Sequence, residues 1–229
     1  MIKRITPKKA CPKIWFCLIV IITGISSVFS SCTMTPKVRQ TPPESAPPVI
    51  SSGWVPERPA KPPVPEYIMG TGMVSSKDMA AFLLNYNTGT EADLVEILTL
   101  IYTEEAAIEG VNHDTAFAQM CLETGFLGYG GDVRPEQNNF CGLGAIGNGE
   151  PGLSFPDPRT GVRAHIQHLQ AYATEAPLKQ ELVDPRYRYV RRGSSPAIKG
   201  LAGTWAADRS YAEKINNILE RLYSFSFEN

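Results

Sequence analysis

A proline-rich segment near the N-terminus limits folding to the part of the chain that follows it. Few apolar residues separate its ten prolines, which are Pro36, Pro42, Pro43, Pro47, Pro48, Pro56, Pro59, Pro62, Pro63 and Pro65. Such a segment cannot bury enough apolar surface to fold, and proline keeps it extended at roughly 3.1 Å per residue. We therefore predict a semi-stiff tether over residues 32–66, with a reach on the order of 100 Å. One folded domain is expected over residues 67–229.

Residues 1–31 have the pattern of a secretory signal. Basic residues precede an apolar stretch from Ile14 to Phe29, which is shorter than the about 20 residues of a membrane span. Ser30-Ser31-Cys32 follows the stretch, and a cysteine after two small residues resembles a bacterial lipobox, although Phe29 stands where leucine is usual. We expect cleavage before Cys32 and lipid on that cysteine, which predicts a cell-envelope protein, lipid-anchored outside the cytoplasm. The alternative is an uncleaved N-terminal anchor.

Charge and cysteine content further limit the class of protein. The chain has 22 basic and 23 acidic residues, and removal of residues 1–31 takes away five basic ones, which leaves a net charge of −6 with neutral histidine. Nucleic-acid-binding domains carry a basic surface instead, so we predict no nucleic-acid partner. Cys121 and Cys141 are too few for a disulfide scaffold. They either pair in an oxidising compartment or remain as buried thiols.

Apolar spacing predicts five helices and a mainly α domain. Ser75-Ser76 caps the first helix, and Thr90 with Asp93 forms a capping box for the second, which ends at Gly110. The apolar residues expected to face the core in these two helices are Met79, Phe82, Leu83 and Tyr86, then Leu94, Ile97, Leu98 and Ile101.

The later helices enclose a long irregular segment. Asn112 or Asp114 begins the third helix and Thr160 caps the fourth. The core-facing residues of the fourth and fifth helices are Val162, Ile166, Leu169 and Tyr172, then Tyr211, Ile215, Ile218, Leu219 and Leu222. The segment 128–158 is rich in Gly, Pro and Asn and is too long for a plain connection, so we predict a functional loop with a short β-hairpin.

An acidic residue continues the buried face of the third helix. If that helix spans residues 114–124, Ala116, Met120 and Glu123 share one face. Burial and the negative end of the helix dipole both disfavour a carboxylate there, which predicts a raised pKa for Glu123. A carboxyl group that keeps its proton near neutral pH is what a glycosidase uses as a general acid. Gly125 can end the helix.

Four ordered motifs carry a resemblance to a known family. They are AQMCLETGFLGYGG, NNFCGLGA, SFPDPRTGVRAHIQHLQAYA and WAADRSYAEKI. Together they resemble the bacterial glucosaminidase domain of glycoside hydrolase family 73, over roughly residues 75–223. The resemblance implies a peptidoglycan hydrolase with a lysozyme-like fold, in which a long Gly-rich loop or small β-hairpin flanks the cleft. It assigns the general acid to Glu123, an active-site tyrosine to Tyr211 and the cleft-lining Asn-Asn-hydrophobic-x-Gly segment to residues 138–142.

The chemistry of these side chains fits a sugar-binding cleft. Asn138 and Asn139 offer paired donors and acceptors for N-acetyl and hydroxyl groups, although asparagine also favours turns. Gly142 permits a tight loop. Aromatic faces for sugar rings, or alternatively for core packing, come from Phe140, Tyr129, Trp205 and Tyr211.

The second catalytic group is left open by the sequence. Glycosidases usually employ two carboxyl groups, and Asp157 is the first candidate, followed by Glu150. Asp132 and Glu136 lie nearer to Glu123 in the sequence. A third route uses the 2-acetamido oxygen of the substrate, oriented by Tyr211 and an asparagine.

Two histidines at helical spacing do not suggest a metal centre. His165 is expected to be half-buried between Val162 and Leu169, and His168 to lie on the solvated side. We therefore predict no metal and no cofactor.

The function expected from the sequence is an endo-β-N-acetylglucosaminidase that cleaves peptidoglycan glycan strands after N-acetylglucosamine. The expected state is a monomer bound to the membrane through lipid on Cys32. Alternatives are a muramidase or lytic transglycosylase on the same fold, or a wall-binding lipoprotein without catalysis.

Overall fold

Five helices form most of the regular structure in the residues that the computed structural model describes, 60–145, 147 and 149–228. They are α1 (Ser76–Tyr86), α2 (Ala92–Glu109), α3 (His113–Thr124), α4 (Pro158–Ala173) and α5 (Tyr211–Glu228), with 3-10 turns at Pro135–Gln137, Tyr187–Tyr189 and Ile198–Leu201. The prediction of a mainly α, lysozyme-like helical domain is confirmed. In the described part of segment 128–158, β pairing is limited to one isolated bridge, between Gly147 and Glu150, where a hairpin was predicted.

The N-terminal predictions fall mostly outside the described residues. The signal sequence, Cys32 and the tether up to residue 59 lie there. The last part of the tether is described, and it contacts the helical domain: Lys61 Nζ lies 3.0 Å from Glu220 on α5, and Val64 packs against the core. None of the helices in the described ranges is long and apolar enough to cross a membrane.

Helix ends follow the predicted signals at most positions. Ser75 caps α1 by accepting from Asp78 N, and Asn112 caps α3. Gly110 and Gly125 end α2 and α3 in the left-handed conformation, as predicted. The capping box of α2 was wrong, because the N-cap is Glu91 and no side chain caps it.

The buried face of α2 differs from the predicted one. Leu98 and Ile101 are buried, but Leu94 and Ile97 are 44% and 55% exposed, while Tyr102 is fully buried. Apolar residues occur all round this helix, so their identity alone could not select the face that packs on α1, α3 and α4.

Helix α3 is the centre of the domain. It packs against α2, α4 and α5, and its first nine residues, His113 to Cys121, are all buried. A helix buried on every side must provide partners for its polar side chains. Asp114 accepts from Met73 N, Val74 N and the Tyr223 hydroxyl.

The apolar core has two parts. The larger joins all five helices. The smaller contains Cys141, Leu143, Phe155 and Ala164, and Leu153 and Trp205 pack against it. The smaller cluster lies beneath the loop between α3 and α4.

Candidate active site

The last turn of α3 presents Glu123 to two hydrogen-bond donors. Glu123 Oε1 accepts from Trp205 Nε1 at 2.9 Å and from the Tyr211 hydroxyl. Tyr211 is the first residue of α5, and Trp205 follows the 3-10 turn at Ile198–Leu201. Three segments far apart in sequence therefore meet at one carboxylate oxygen.

Burial dominates the electrostatics of Glu123. It raises the pKa of the carboxyl group, and the hydrogen bonds from Tyr211 and Trp205 lower it by a smaller amount. The predicted upward shift is confirmed in direction. The pKa of Tyr211 is raised well above its usual value by burial and by the adjacent Glu123, so its hydroxyl keeps the proton that it donates.

The turn after Glu123 is held by its neighbour Thr124. The Thr124 hydroxyl donates to Met120 O at 2.8 Å and accepts from Leu127 N at 2.9 Å. Three non-glycine residues of this turn, Phe126, Leu127 and Tyr129, have positive φ angles between 48° and 61°. Such a conformation costs free energy and persists only where the surroundings impose it, which is common at functional sites.

Glu123 opens onto a cleft of about 270 Å³. Its lining consists of Glu123, Tyr129, Gly131, Asp132, Val133, Cys141, Gly142, Ala145, Trp205 and Ala206. The absence of a side chain at Gly142 matters, because a Cβ atom there would lie 3.5 Å from Glu123 Oε2, and its φ of +69° also favours glycine. The free oxygen of the acid therefore faces the backbone of the loop.

Asn139 holds the loop together. Its side chain donates to Leu143 O and Leu153 O and accepts from Leu143 N, at 2.9 to 3.0 Å. Both amide hydrogens are used within the loop, and contact of Asn139 with a sugar stays a prediction. Asn138 likewise donates to Phe155 O at 3.0 Å.

The predicted aromatic residues divide between the cleft and the core. Tyr129 and Trp205 line the cleft. Phe140 is buried, and its ring meets Tyr102 edge-on, which is the core packing that the sequence analysis left as the alternative. Trp205 has a second role, since its indole N–H is a donor to Glu123.

Asp157 lies at the start of α4 and is not among the residues that line the cleft. It accepts from Thr160 N at 2.9 Å and is the N-cap of α4, which corrects the prediction that Thr160 caps this helix. Asp132, in contrast, lines the cleft together with Glu123, and its Oδ1 accepts from Gly149 N at 3.0 Å. Glu150 is exposed and does not line the cleft.

Both histidines of α4 are more buried than predicted. His165 is fully buried, with Nδ1 2.9 Å from the Tyr102 hydroxyl and Nε2 2.9 Å from Gln119 Oε1. His168 Nδ1 lies 2.6 Å from Asp184, and its ring meets Trp205 edge-on. Among the described residues, no group of three His, Cys, Asp or Glu side chains could hold a metal ion.

The sequence analysis missed Gln119 as a residue of this site. Its Nε2 donates to the Tyr211 hydroxyl at 2.8 Å. Gln119 is buried and lies four residues before Glu123, on the same face of α3. A buried amide at this spacing is the sequence signal that could have identified it.

The two cysteines do not pair. Cys121 and Cys141 are both free and buried, and burial raises the pKa of both thiols. Of the two alternatives left by the sequence, the structure contains buried thiols.

A second groove, of about 470 Å³, runs between α1 and α2. Its lining of Ser76, Lys77, Glu96, Ile97, Thr99 and Leu100 contains a single carboxyl group. The cleft at Glu123 combines a perturbed acid, two donors to it and a second carboxyl group, which is the combination that acid–base chemistry requires.

The region of the chain that matches a known protein family contains the whole of this site. A family model described as Glucosaminidase, mannosyl-glycoprotein endo-beta-N-acetylglucosaminidase, matches residues 100–224. An uncharacterized protein of Borreliella burgdorferi is 40% identical over 163 residues, which cover 71% of this chain and 80% of the relative. None of the solved structures compared with the chain matches it. The matched family region includes Glu123, the loop, α4, Trp205 and Tyr211.

Proposed function

Because the chain belongs to the mannosyl-glycoprotein endo-beta-N-acetylglucosaminidase family, and is thereby a glycoside hydrolase, we propose that it cleaves peptidoglycan glycan strands after N-acetylglucosamine with Glu123 as general acid. The observation that carries the proposal is the environment of Glu123. Its pKa is raised by burial, and its side chain lines an open cleft beside Gly142. A protonated carboxyl group in that position can protonate a glycosidic oxygen as the bond from it to C1 breaks.

The proposed step separates the roles of the two carboxyl oxygens. Trp205 and Tyr211 donate to Oε1, which disperses the charge left on the carboxylate after proton transfer. Oε2 gives the proton to the leaving oxygen, and the sugar carbon develops positive charge. The broad faces of Tyr129 and Trp205 along the cleft are suited to sugar rings.

For the second group we propose Asp132, which shares the cleft lining with Glu123. It would activate water or stabilise the developing cation, whereas Asp157 is used as a helix cap. Asp132→Asn, Asp157→Asn and Glu150→Gln separate the candidates. We expect only Asp132→Asn to abolish hydrolysis, and activity retained in all three would favour the acetamido oxygen of the substrate.

The proposal further includes a monomer held outside the cytoplasm by lipid on Cys32. The sequence pattern of residues 1–32 supports it. Cys32→Ser should move the protein from the membrane fraction to the soluble fraction. Retention in the membrane would favour an uncleaved anchor. Light scattering of the purified protein tests the monomer.

Digestion of purified peptidoglycan tests the activity. Released fragments are reduced with borohydride and the reducing-end sugar is identified by mass spectrometry, with Glu123→Gln as the control. We expect reduced N-acetylglucosamine ends that are absent with the variant. Reduced N-acetylmuramic acid would indicate a muramidase, anhydro ends a transglycosylase, and wall binding without release a non-catalytic protein.

A further inference from the structure

A chain of buried hydrogen bonds runs from the core of the domain to Glu123. The Tyr211 hydroxyl contacts Glu123 Oε1 and accepts from Gln119 Nε2 at 2.8 Å. Gln119 Oε1 lies 2.9 Å from His165 Nε2, and His165 Nδ1 lies 2.9 Å from the Tyr102 hydroxyl. The five side chains belong to α2, α3, α4 and α5, so the hydrogen-bond chain crosses the domain.

The chemistry of each group gives these hydrogen bonds a single direction. The amide oxygen of Gln119 can only accept, so His165 carries its hydrogen on Nε2. A neutral imidazole then has an acceptor at Nδ1, and Tyr102 donates to it. Tyr211 accepts from Gln119 and donates its own hydrogen to Glu123. Every hydrogen bond in the chain therefore points toward Oε1.

His165 is suited to this fixed role because it stays neutral. Its side chain is fully buried. Burial, with a smaller contribution from His168, lowers the pKa of His165 to about 3. The imidazole therefore keeps one tautomer across the pH range in which a free histidine would change its charge.

The two oxygens of Glu123 have unequal surroundings. Oε1 accepts from both Trp205 and Tyr211. Oε2 faces Gly142, where the backbone carries no side chain. A proton on Oε1 would point at two donors, the Trp205 indole N–H and the Tyr211 hydroxyl. A proton on Oε2 lies where a glycosidic oxygen can receive it.

We propose that Gln119, His165 and Tyr102 are positioning residues that keep Glu123 Oε1 an acceptor and thereby confine the acidic proton to Oε2. The proposal deepens the function proposed above and rests on Glu123 as general acid. The chain acts through Tyr211, because the amide of Gln119 occupies the phenolic oxygen and leaves its hydrogen for Glu123.

Interruption of the chain should change the pH dependence as well as the rate. The donors favour the charged form of Glu123, so weaker donation raises its pKa further. The rate lost as Glu123 ionises is then lost at higher pH, while the maximal rate falls because the proton can also occupy Oε1. The other titratable groups that line the cleft with Glu123 or contact it are Tyr129, Asp132 and Cys141 from the loop and Tyr211 from α5.

Nitrogen NMR of the unaltered protein tests the direction of the chain without an activity assay. The protein contains three histidines, so a His165→Asn variant assigns the ring. We expect an Nε2–H tautomer that does not change between pH ~5 and ~8. An Nδ1–H tautomer, or a ring that becomes charged in this range, would overturn the proposal. Because catalysis is not needed, the result stands even if the proposed function fails.

A matched pair of substitutions tests the kinetic effect. Tyr102 and Tyr223 are both buried, 0% and 1% exposed, and each hydroxyl makes one hydrogen bond. Tyr102→Phe should lower kcat about threefold to tenfold, the equivalent of one hydrogen bond. It should leave KM unchanged and move the basic limb of the pH profile upward. The Tyr223 hydroxyl bonds Asp114 instead of the chain. Tyr223→Phe should therefore change neither kcat nor the pH profile, whatever its effect on thermal stability.

Gln119→Leu interrupts the chain next to Tyr211 and should produce the larger change of the same kind. If the pH limb stays in place in Gln119→Leu, the three residues are structural and the proposal fails. Equal kinetic effects of Tyr102→Phe and Tyr223→Phe would have the same meaning. If Tyr102→Phe folds poorly, the pH profile of Gln119→Leu and the tautomer of His165 still test the proposal.

Discussion

The cleft has two walls that are built in different ways. The helix wall is formed by the end of α3 and the start of α5, with Glu123 and Tyr211, and rests on the large apolar core. The loop wall is formed by the described residues between Gly125 and Asp157 and rests on the small cluster around Cys141 and on side-chain bonds to backbone.

The helix wall supplies the proposed acid, and the loop wall supplies the shape of the cleft. The helix wall fixes the acid through two oriented donors, whereas the loop wall, besides its apolar contacts, depends on three side-chain amides that bond its own backbone. Gln137 donates to Pro151 O at 2.6 Å, and Asn138 and Asn139 bond further carbonyls. Changes in the helix wall should therefore alter the rate at nearly constant stability, and changes in the loop wall should alter both.

The largest effect is expected for Glu123→Gln, which removes the acid and keeps the shape. Activity on peptidoglycan should fall about 10²–10⁴-fold, the usual contribution of a general acid. The folded pKa of Glu123 lies above its unfolded value, so wild-type stability declines as pH rises from the unfolded pKa through the folded one. The variant lacks this decline. Thermal melting at pH ~4 and ~8 should show that it gains on the wild type only at the higher pH. A uniform loss of stability would contradict this reading of the helix wall.

Tyr211→Phe is expected to have the next largest effect. It removes one of the two donors to Glu123, which should lower kcat about 10²-fold, as loss of an oriented donor does. The pKa of Glu123 should rise further, so the rate should be lost at higher pH than in the wild type. A pH–rate profile measures both effects, and a limb that moves downward would be the contrary result.

Gly161→Ala tests how closely the loop wall lies on α4. A Cβ atom at Gly161 would lie 1.8 Å from Asn138 O, so the loop must move away. We expect a loss of about 1–3 kcal/mol in the free energy of unfolding, the usual cost of overpacking, together with reduced activity. Gly130→Ala is the control, since a Cβ there meets no atom within 4 Å and its φ is not in the left-handed region. Urea unfolding compares the two.

Asn139→Ala is expected to lower the stability of the fold but, of the four substitutions, to have the smallest effect on the activity of the folded protein. It leaves Leu143 N and two carbonyl groups without their partner, at a cost of about 1–3 kcal/mol. Activity should return at low temperature, where the folded fraction recovers, because the substitution removes no catalytic group. Permanent inactivity in fully folded protein would indicate that Asn139 does contact the sugar.

The sequence predicted the helix wall far better than the loop wall. Apolar periodicity and caps identified all five helices, and the acid on a buried face predicted the pKa direction of Glu123. Periodicity failed for α2, where apolar residues on all sides left the buried face undetermined. It also failed to reveal that Tyr102 and Gln119 meet through His165, because those contacts depend on how three helices pack.

The loop wall was harder to predict because its residues have two uses. Asn138, Asn139 and Phe140 suit a sugar as well as they suit a turn or a core, and the residue types alone do not distinguish these uses. Asp157 was favoured by its distance from Glu123 in the sequence, but an aspartate before Pro158 also begins a helix. Position in space, which brought Asp132 into the cleft, is set by backbone turns with positive φ that periodicity does not report.

Each of the two regions, the helical core and the loop wall, contains one free thiol whose labelling rate can report local opening. Cys121 lies on α3 and Cys141 in the loop, and both are buried with raised pKa values, so neither reacts with an alkylating reagent until its surroundings open. The labelling rate of Cys141 measures how often the loop opens, and the labelling rate of Cys121 measures how often the core opens. The ratio of the two labelling rates therefore reports how much more readily the loop opens than the core.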